Sequence, residues 1–238
     1  MQLFKKLTLV ILFVALATPA WAADFSIITA TQAEFDALVQ DAARLTAYRS
    51  MAPAEPGGLT GFEVGVSVSG IEIDGALWDQ YIGEDEDVMA VPRLMVRKGL
   101  PFNIDVGAFY SEVDDYDISL YGGELQVALL EGSVATPAVA LRGSYTKLDA
   151  ADEMEVETVA ADLVVSKGFA MLTPYAGVGI VDYEGEYTGD LGLPLNKYDD
   201  DETRYFAGVR FALTALQIAF EYEQMDEPVY SLKIAAGF

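Results

Sequence analysis

Carboxylates are the chemistry this chain has to offer. Of its 238 residues, 38 are Asp or Glu and 14 are Lys or Arg, giving a net charge of −24, with neither cysteine nor histidine. Without histidine the chain lacks the commonest general base and the commonest zinc ligand. Without cysteine it has no disulfide, no thiolate metal site and no thiol nucleophile. The acids come in runs: Glu84-Asp85-Glu86-Asp87, Asp114-Asp115-Tyr116-Asp117, Asp152-Glu153-Met154-Glu155, Asp199-Asp200-Asp201-Glu202 and Asp226-Glu227. Such oxygens suit Ca²⁺ or Mg²⁺, but no run has the EF-hand spacing, so solvated loops are expected and no dedicated metal site or cofactor. Paired carboxylates alone can hydrolyse glycosides. Here no serine elbow or glycine-rich phosphate loop accompanies them, and no catalytic residue can be nominated. The charge excludes nucleic acid as a partner.

The elements that carry these groups read as strands. From Leu59 onward, ten segments alternate apolar and polar residues: 60–73, 88–98, 102–113, 118–130, 138–147, 156–167, 174–183, 203–213, 216–224 and 230–238. A period of two puts alternate side chains on opposite faces, and 9–11 residues suffice for a tilted strand to cross a bilayer. Connectors after the even-numbered segments are short. The odd-numbered ones mostly lead into longer acidic loops, the largest spanning 184–202. Phe62, Phe102, Phe211 and Phe238 fall at one set of strand ends, and Tyr110, Tyr121, Tyr145, Tyr205, Tyr222 and Tyr230 at the other. These are two interfacial girdles. The expected fold is all-β: a ten-stranded antiparallel up-and-down transmembrane barrel. Pro92 inside the second segment predicts a bulge or a shifted boundary, because a closed barrel wants an N–H at each ladder position.

If that parity holds, Glu63, Asp105, Glu124, Asp162 and Glu221 face the lumen with Arg93, Arg97, Arg142, Arg210 and Lys233. Side chains largely fill a barrel of this size. The expectation is a charged network that seals the lumen, with a narrow passive channel for small solutes or ions as the alternative. Ions removed from water need such partners.

The chain begins with a secretory signal, residues 1–22: Lys5 and Lys6, an apolar run from Leu7 to Ala17, and Ala20-Trp21-Ala22 as cleavage site. Residues 23–58 are expected to form a periplasmic helix and linker, and 59–238 the barrel. Thr31-Gln32-Ala33-Glu34 is a capping box, followed by Phe35, Leu38, Val39, Ala42 and Leu45 at helical spacing to about Tyr48. Pro53 and Pro56-Gly57-Gly58 are expected to end this helix. It is expected to pack under the barrel mouth or at the membrane surface, with entry into the lumen as a plug the alternative.

The last segment sets Tyr230, Leu232, Ile234, Ala236 and Phe238 on one face. It resembles the terminal strand of bacterial outer-membrane barrels, whose last Phe is read by the assembly machinery. Residues 54–65 (AEPGGLTGFEVG), 98–107 (KGLPFNIDVG) and 166–177 (SKGFAMLTPYAG) are similar to a family of uncharacterised proteobacterial outer-membrane β-barrel proteins. The resemblance implies a porin-like barrel in the outer membrane of a Gram-negative bacterium. It brings no activity and no functional residues. The barrel enzymes of that membrane use a histidine, so a non-enzymatic role is expected: structural, or interacting at the surface through acidic extracellular loops. The expected partners are outer-membrane lipids and lipopolysaccharide bridged by divalent cations, and the assembly machinery reading Tyr230 and Phe238.

Overall fold

The structure, a computed structural model, describes residues 27–72, 75–82, 88–113 and 118–238. The expected signal sequence, residues 1–22, and the acidic runs at 84–87 and 114–117 lie outside these residues. Ten strands follow one another in order: β1 (Phe62–Glu72), β2 (Val88–Leu100), β3 (Ile104–Val113), β4 (Ile118–Glu131), β5 (Ala138–Ala150), β6 (Met154–Ser166), β7 (Leu172–Tyr187), β8 (Tyr198–Leu213), β9 (Leu216–Gln224) and β10 (Pro228–Gly237). Each pairs antiparallel with its sequence neighbours, and β1 pairs with β10 from Glu63↔Gly237 to Ile71↔Val229, closing the barrel. Closure leaves no unpaired sheet edge.

The two-residue period decides which side chains see the inside. Val64, Val66, Leu94, Leu125, Leu141, Leu163, Ile180 and Ile234 are exposed on the outer wall, while Arg142, Asp162, Glu221 and Lys233 are buried inside. Apolar outside and ionic inside is the reverse of a water-soluble sandwich, and only hydrocarbon covers such a wall favourably. The tyrosine and phenylalanine rows border it. On β10 alone Tyr230 and Phe238 are eight residues apart, about 20 Å along the axis for a strand tilted near 40°.

The two ends of the barrel differ. β1 starts and β10 stops at what is here called the closing end, where Phe238 N–H donates to Phe62 O at 3.1 Å and Phe62 N–H returns a bond of 3.0 Å. The opposite, helix end carries two helices, α1 (Gln32–Thr46) and α2 (Gly75–Ile82). α2 sits in the β1–β2 connection, which the sequence had suggested was only acidic loop. Its Trp78 and Tyr81 are buried against α1. The capping box of α1 is formed: Glu34 N–H donates to Thr31 Oγ1, and Thr31 N–H donates to Glu34 Oε2 at 2.8 Å. Those bonds hold the Glu34 carboxyl below its ordinary value.

Three local expectations are corrected. Pro92 causes no bulge: it pairs in register with Val68 of β1, and β2 meets β3 only from Leu94, so the missing N–H falls where the strand has one neighbour. The register shift lies in β4, between Ala128 and Leu130. The loop expected at 184–202 is shorter, residues 188–197, since β7 runs to Tyr187 and β8 begins at Tyr198. Odd-numbered strands do not all exit into long loops either, because β5–β6 and β9–β10 turn within residues 151–153 and 225–227.

A cation placed on the lipid-facing wall separates this architecture from a soluble one. Leu141→Arg, at mid-strand, is expected to cost about 2–4 kcal/mol in urea unfolding from lipid vesicles, and Val134→Arg, at a turn tip, about 0–1 kcal/mol. Equal effects at the two positions would contradict a membrane-spanning wall.

Candidate functional site: a polypeptide threaded through the lumen

Residues 27–58 do not lie below the barrel. α1 is sunk into the helix end, with Phe35, Leu38, Val39, Ala42 and Leu45 buried against β5, β6 and β7. Each fully buried Leu or Phe contributes about 1.5–3 kcal/mol. The fit is close at Gly185 of β7, where any Cβ would come within 2.5 Å of the Val39 methyls. Residues 47–58 then run through the lumen to the closing end and turn into β1. Residue 27 and residue 238 therefore lie at opposite ends. This corrects the expectation of a periplasmic helix and linker on the same side as the carboxyl end. The apolar stripe that identifies the helix finds its cover inside the barrel wall.

Rim contacts fix α1. Arg44 meets Glu202 at 3.0 Å, Asp226 at 3.1 Å and Asp41 at 3.2 Å. Burial works against its charge, but the bond and charge of Glu202, with Asp41 and Asp226, outweigh it and hold the guanidinium above its ordinary value. Trp78 Nε1–H donates to Asp41 at 2.9 Å, Gln40 to Tyr198 Oη at 2.6 Å, and Ile27 N–H to Glu153 at 2.7 Å.

Helix α1 stops at Thr46, before either proline. Its last carbonyls, which an α-helix leaves without internal partners, are taken by cations. Arg49 donates to Arg44 O at 2.8 Å, and Arg93 donates to Leu45 O and, at 3.1 Å, to Ala47 O. Positive charge at this end also complements the helix dipole. Arg93 stacks over Phe109, 4.6 Å from the ring centroid, and Tyr48 meets that ring edge-on.

Beyond the helix the chain is irregular, with Met51 in the left-handed region at φ 46, and pairs with no strand; the isolated bridge among the described residues is Phe169↔Leu172, elsewhere. Wall side chains take its carbonyls in sequence. Arg204 donates to Tyr48 O at 3.0 Å, Lys233 to Ser50 O at 2.9 Å, and Arg142 to Ala52 O at 3.0 Å. Gln126 reaches Pro53 O and Ala54 O at 3.4 and 3.3 Å. Acceptors on the wall take the amides, Ala54 N–H donating to Ser166 Oγ at 3.0 Å and Gly57 N–H to Asp105 at 2.9 Å. At the exit Gly58 has φ +66, and Gly99 packs so closely that a Cβ would meet Gly58 O at 2.1 Å.

The ten residues assigned to the lumen from the sequence all project inward, and they fall into separate groups. Arg97 and Arg142 flank Glu124, at 2.5 and 3.4 Å, and Arg97 lies 3.4 Å from Asp105. Lys233 holds Glu63 at 2.7 Å. Asp162 is paired with Arg204, Nε to Oδ1 at 2.7 Å and Nη2 to Oδ2 at 2.6 Å. Arg210 meets Glu55 of the threaded segment at 3.6 Å. Glu221 is buried on the wall beside Tyr175, whose ring occupies the space left by Gly208. Among the described residues Arg93 makes no ion pair; it serves the carbonyls of Leu45 and Ala47 at the helix end.

Sequence reasoning puts Arg204, Glu223, Gln126 and Ser166 on the inward face of their strands but leaves them out of the charged network, and it gives no role to Arg49, Ser50 and Glu55 on the threaded segment. Arg204 and Glu223 had a signal, since each shares the inward parity of Arg210 or Glu221 on its own strand. Arg49 bonds Glu223 at 2.6 Å across 174 residues of sequence, a pairing with no local signature.

Asp162→Asn leaves Arg204 buried with only Glu223, at 3.7 Å, for a counter-charge. The expected loss is about 3–5 kcal/mol, read as a drop in melting temperature in detergent. An unchanged melting temperature would show that this pair does not anchor the wall.

Comparison with known proteins adds little to this geometry. The model of a family of unknown function (DUF6588) matches residues 79–238. Among curated proteins, no relative matches. Similar solved structures include the N-terminal β-barrel domain of Pseudomonas aeruginosa OprF, at 14% identity and TM-score 0.36, covering 76% of this chain and 99% of that one. Neisserial surface protein A gives 11% identity and 0.36, covering 74% and 97%. The KdgM porin gives 7% identity and 0.39, covering 74% and 99%. At these scores the likenesses carry no argument here.

Proposed function

The chain belongs to the DUF6588 family, whose description carries no activity, and we propose a function from the lumen itself. The protein is a non-enzymatic integral barrel of the outer membrane, reached through its signal sequence. Its own amino-terminal segment closes it to solutes. The single observation that carries this reading is the series of wall donors on the carbonyls of Leu45, Ala47, Tyr48, Ser50, Ala52, Pro53 and Ala54, which holds the segment along the lumen it crosses. A sealed lumen moves the protein's business to its ends. The closing end, with its short turns and the Tyr230–Phe238 strand read by the assembly machinery, faces the periplasm. The helix end faces outward. There Glu153, Glu155, Asp200, Asp201 and Asp226 form an acidic rim suited to lipopolysaccharide phosphates bridged by Ca²⁺ or Mg²⁺.

The test is conductance of the full-length protein in planar bilayers containing lipopolysaccharide. The expected outcome is silence, with and without Mg²⁺. Steady openings, altered by Arg93→Ala or Arg142→Ala, would instead establish the narrow channel.

A further inference from the structure

We infer that the lumen is a binding site for a non-helical polypeptide, read through its backbone, and that residues 47–57 are its ligand held in cis. This rests on the sealed-barrel reading and deepens it. Three observations carry it.

The first is the direction of the bonds. Arg93, Arg204, Lys233, Arg142 and Gln126 all donate, and they donate to main-chain oxygens. Here the wall recognises what every polypeptide has, and Ser166 and Asp105 supply the complementary acceptors for amides.

The second is the ligand's side chains. Ala47, Ser50, Ala52, Ala54 and Gly57 are small, so the backbone can approach the donors, Tyr48 and Met51 are buried apolar anchors, and Pro53 and Pro56 limit the segment's freedom. Two longer charged side chains set the register: Arg49 on Glu223 at 2.6 Å and Glu55 on Arg210 at 3.6 Å.

The third is the absence, among the described residues, of any ladder between segment and wall. The ten strands complete their hydrogen bonding with one another, so the barrel's own closure does not run through the segment. The wall cations also have carboxylates within the wall: Arg204 with Asp162, Lys233 with Glu63, Arg97 and Arg142 with Glu124. A departing ligand leaves most of these charges paired. The ligand class is therefore a non-helical segment of mostly small residues with two apolar anchors and a cation near its helix-end side, and a second such polypeptide should compete with the resident one.

The experiment keeps the whole chain and separates ligand from receptor after folding. A protease site inserted between the exposed residues Leu59 and Thr60 is cut in the folded, detergent-held protein. A fluorescent synthetic peptide spanning residues 27–58 is then added. The expected result is that the cut segment stays with the barrel through gel filtration, exchanges with the peptide, and leaves at least about tenfold faster when Arg142→Gln removes the donor to Ala52 O. A peptide carrying Ala52→Ser and Ala54→Ser, which alters side chains and spares the backbone, should bind within about threefold of the parent, under 1 kcal/mol. Immediate release of the cut segment overturns the inference, as does collapse of the barrel on cutting or a segment that never exchanges. Conductance of the uncut protein is recorded alongside. If it conducts, the sealed reading fails; if it is silent and the cut protein takes no peptide, this inference alone fails.

Discussion

Carbonyl oxygens without backbone partners are the constraint around which this molecule is arranged. A polypeptide crossing a water-poor lumen outside any ladder carries acceptors that would each cost about 1–3 kcal/mol if left unmet. Fixed donors on the wall meet them, and fixed cations in turn need carboxylates. The alternation of Arg and Lys with Asp and Glu inside the barrel follows from that demand. So does the end of α1, where Arg49 and Arg93 take the helix's last carbonyls and the chain leaves its helical path.

The outer wall answers a separate demand. Every strand hydrogen bond is made within the closed sheet, so only apolar side chains face lipid. The same two-residue alternation that turns Val64 and Ile234 outward turns Glu63 and Lys233 inward, where they pair at 2.7 Å. One periodicity thereby builds the membrane surface and the receptor for the threaded segment. Glycine completes the fit in two places: Gly185 admits Val39 of α1, and Gly99 lets the chain pass as it leaves the lumen.

The barrel was legible because alternation is local. Each strand reports its own faces without reference to any other, and ten of them with a closing partner for β1 leave little freedom. Helix α1 was legible for the same reason, from Thr31 and Glu34 at one end and the Phe35–Leu45 stripe along it. The destination of that helix was not legible. Its cover is made by β5 to β7, and the segment after it has no period at all; its partners, such as Glu223 for Arg49 and Gln126 for Ala54, are far along the chain. Arg93 was read as one member of an ion network, whereas its work is on a helix terminus, a role no charge count reveals. Pro92 misled because the sequence does not say where the pairing of β2 with β3 stops.

The central claim, that residues 47–58 occupy the lumen in a fixed register, is tested most directly by a cross-link. The chain has no cysteine of its own, so a pair can be introduced cleanly. Ala54 N–H donates to Ser166 Oγ at 3.0 Å, which brings the two residues close enough for a disulfide between Ala54→Cys and Ser166→Cys. The account predicts that this pair oxidises within one folded molecule, while Ala54→Cys with Leu163→Cys, on the outer wall, does not. Free thiol at position 54, open to a water-soluble maleimide in the folded protein and unlinked to position 166, would contradict it.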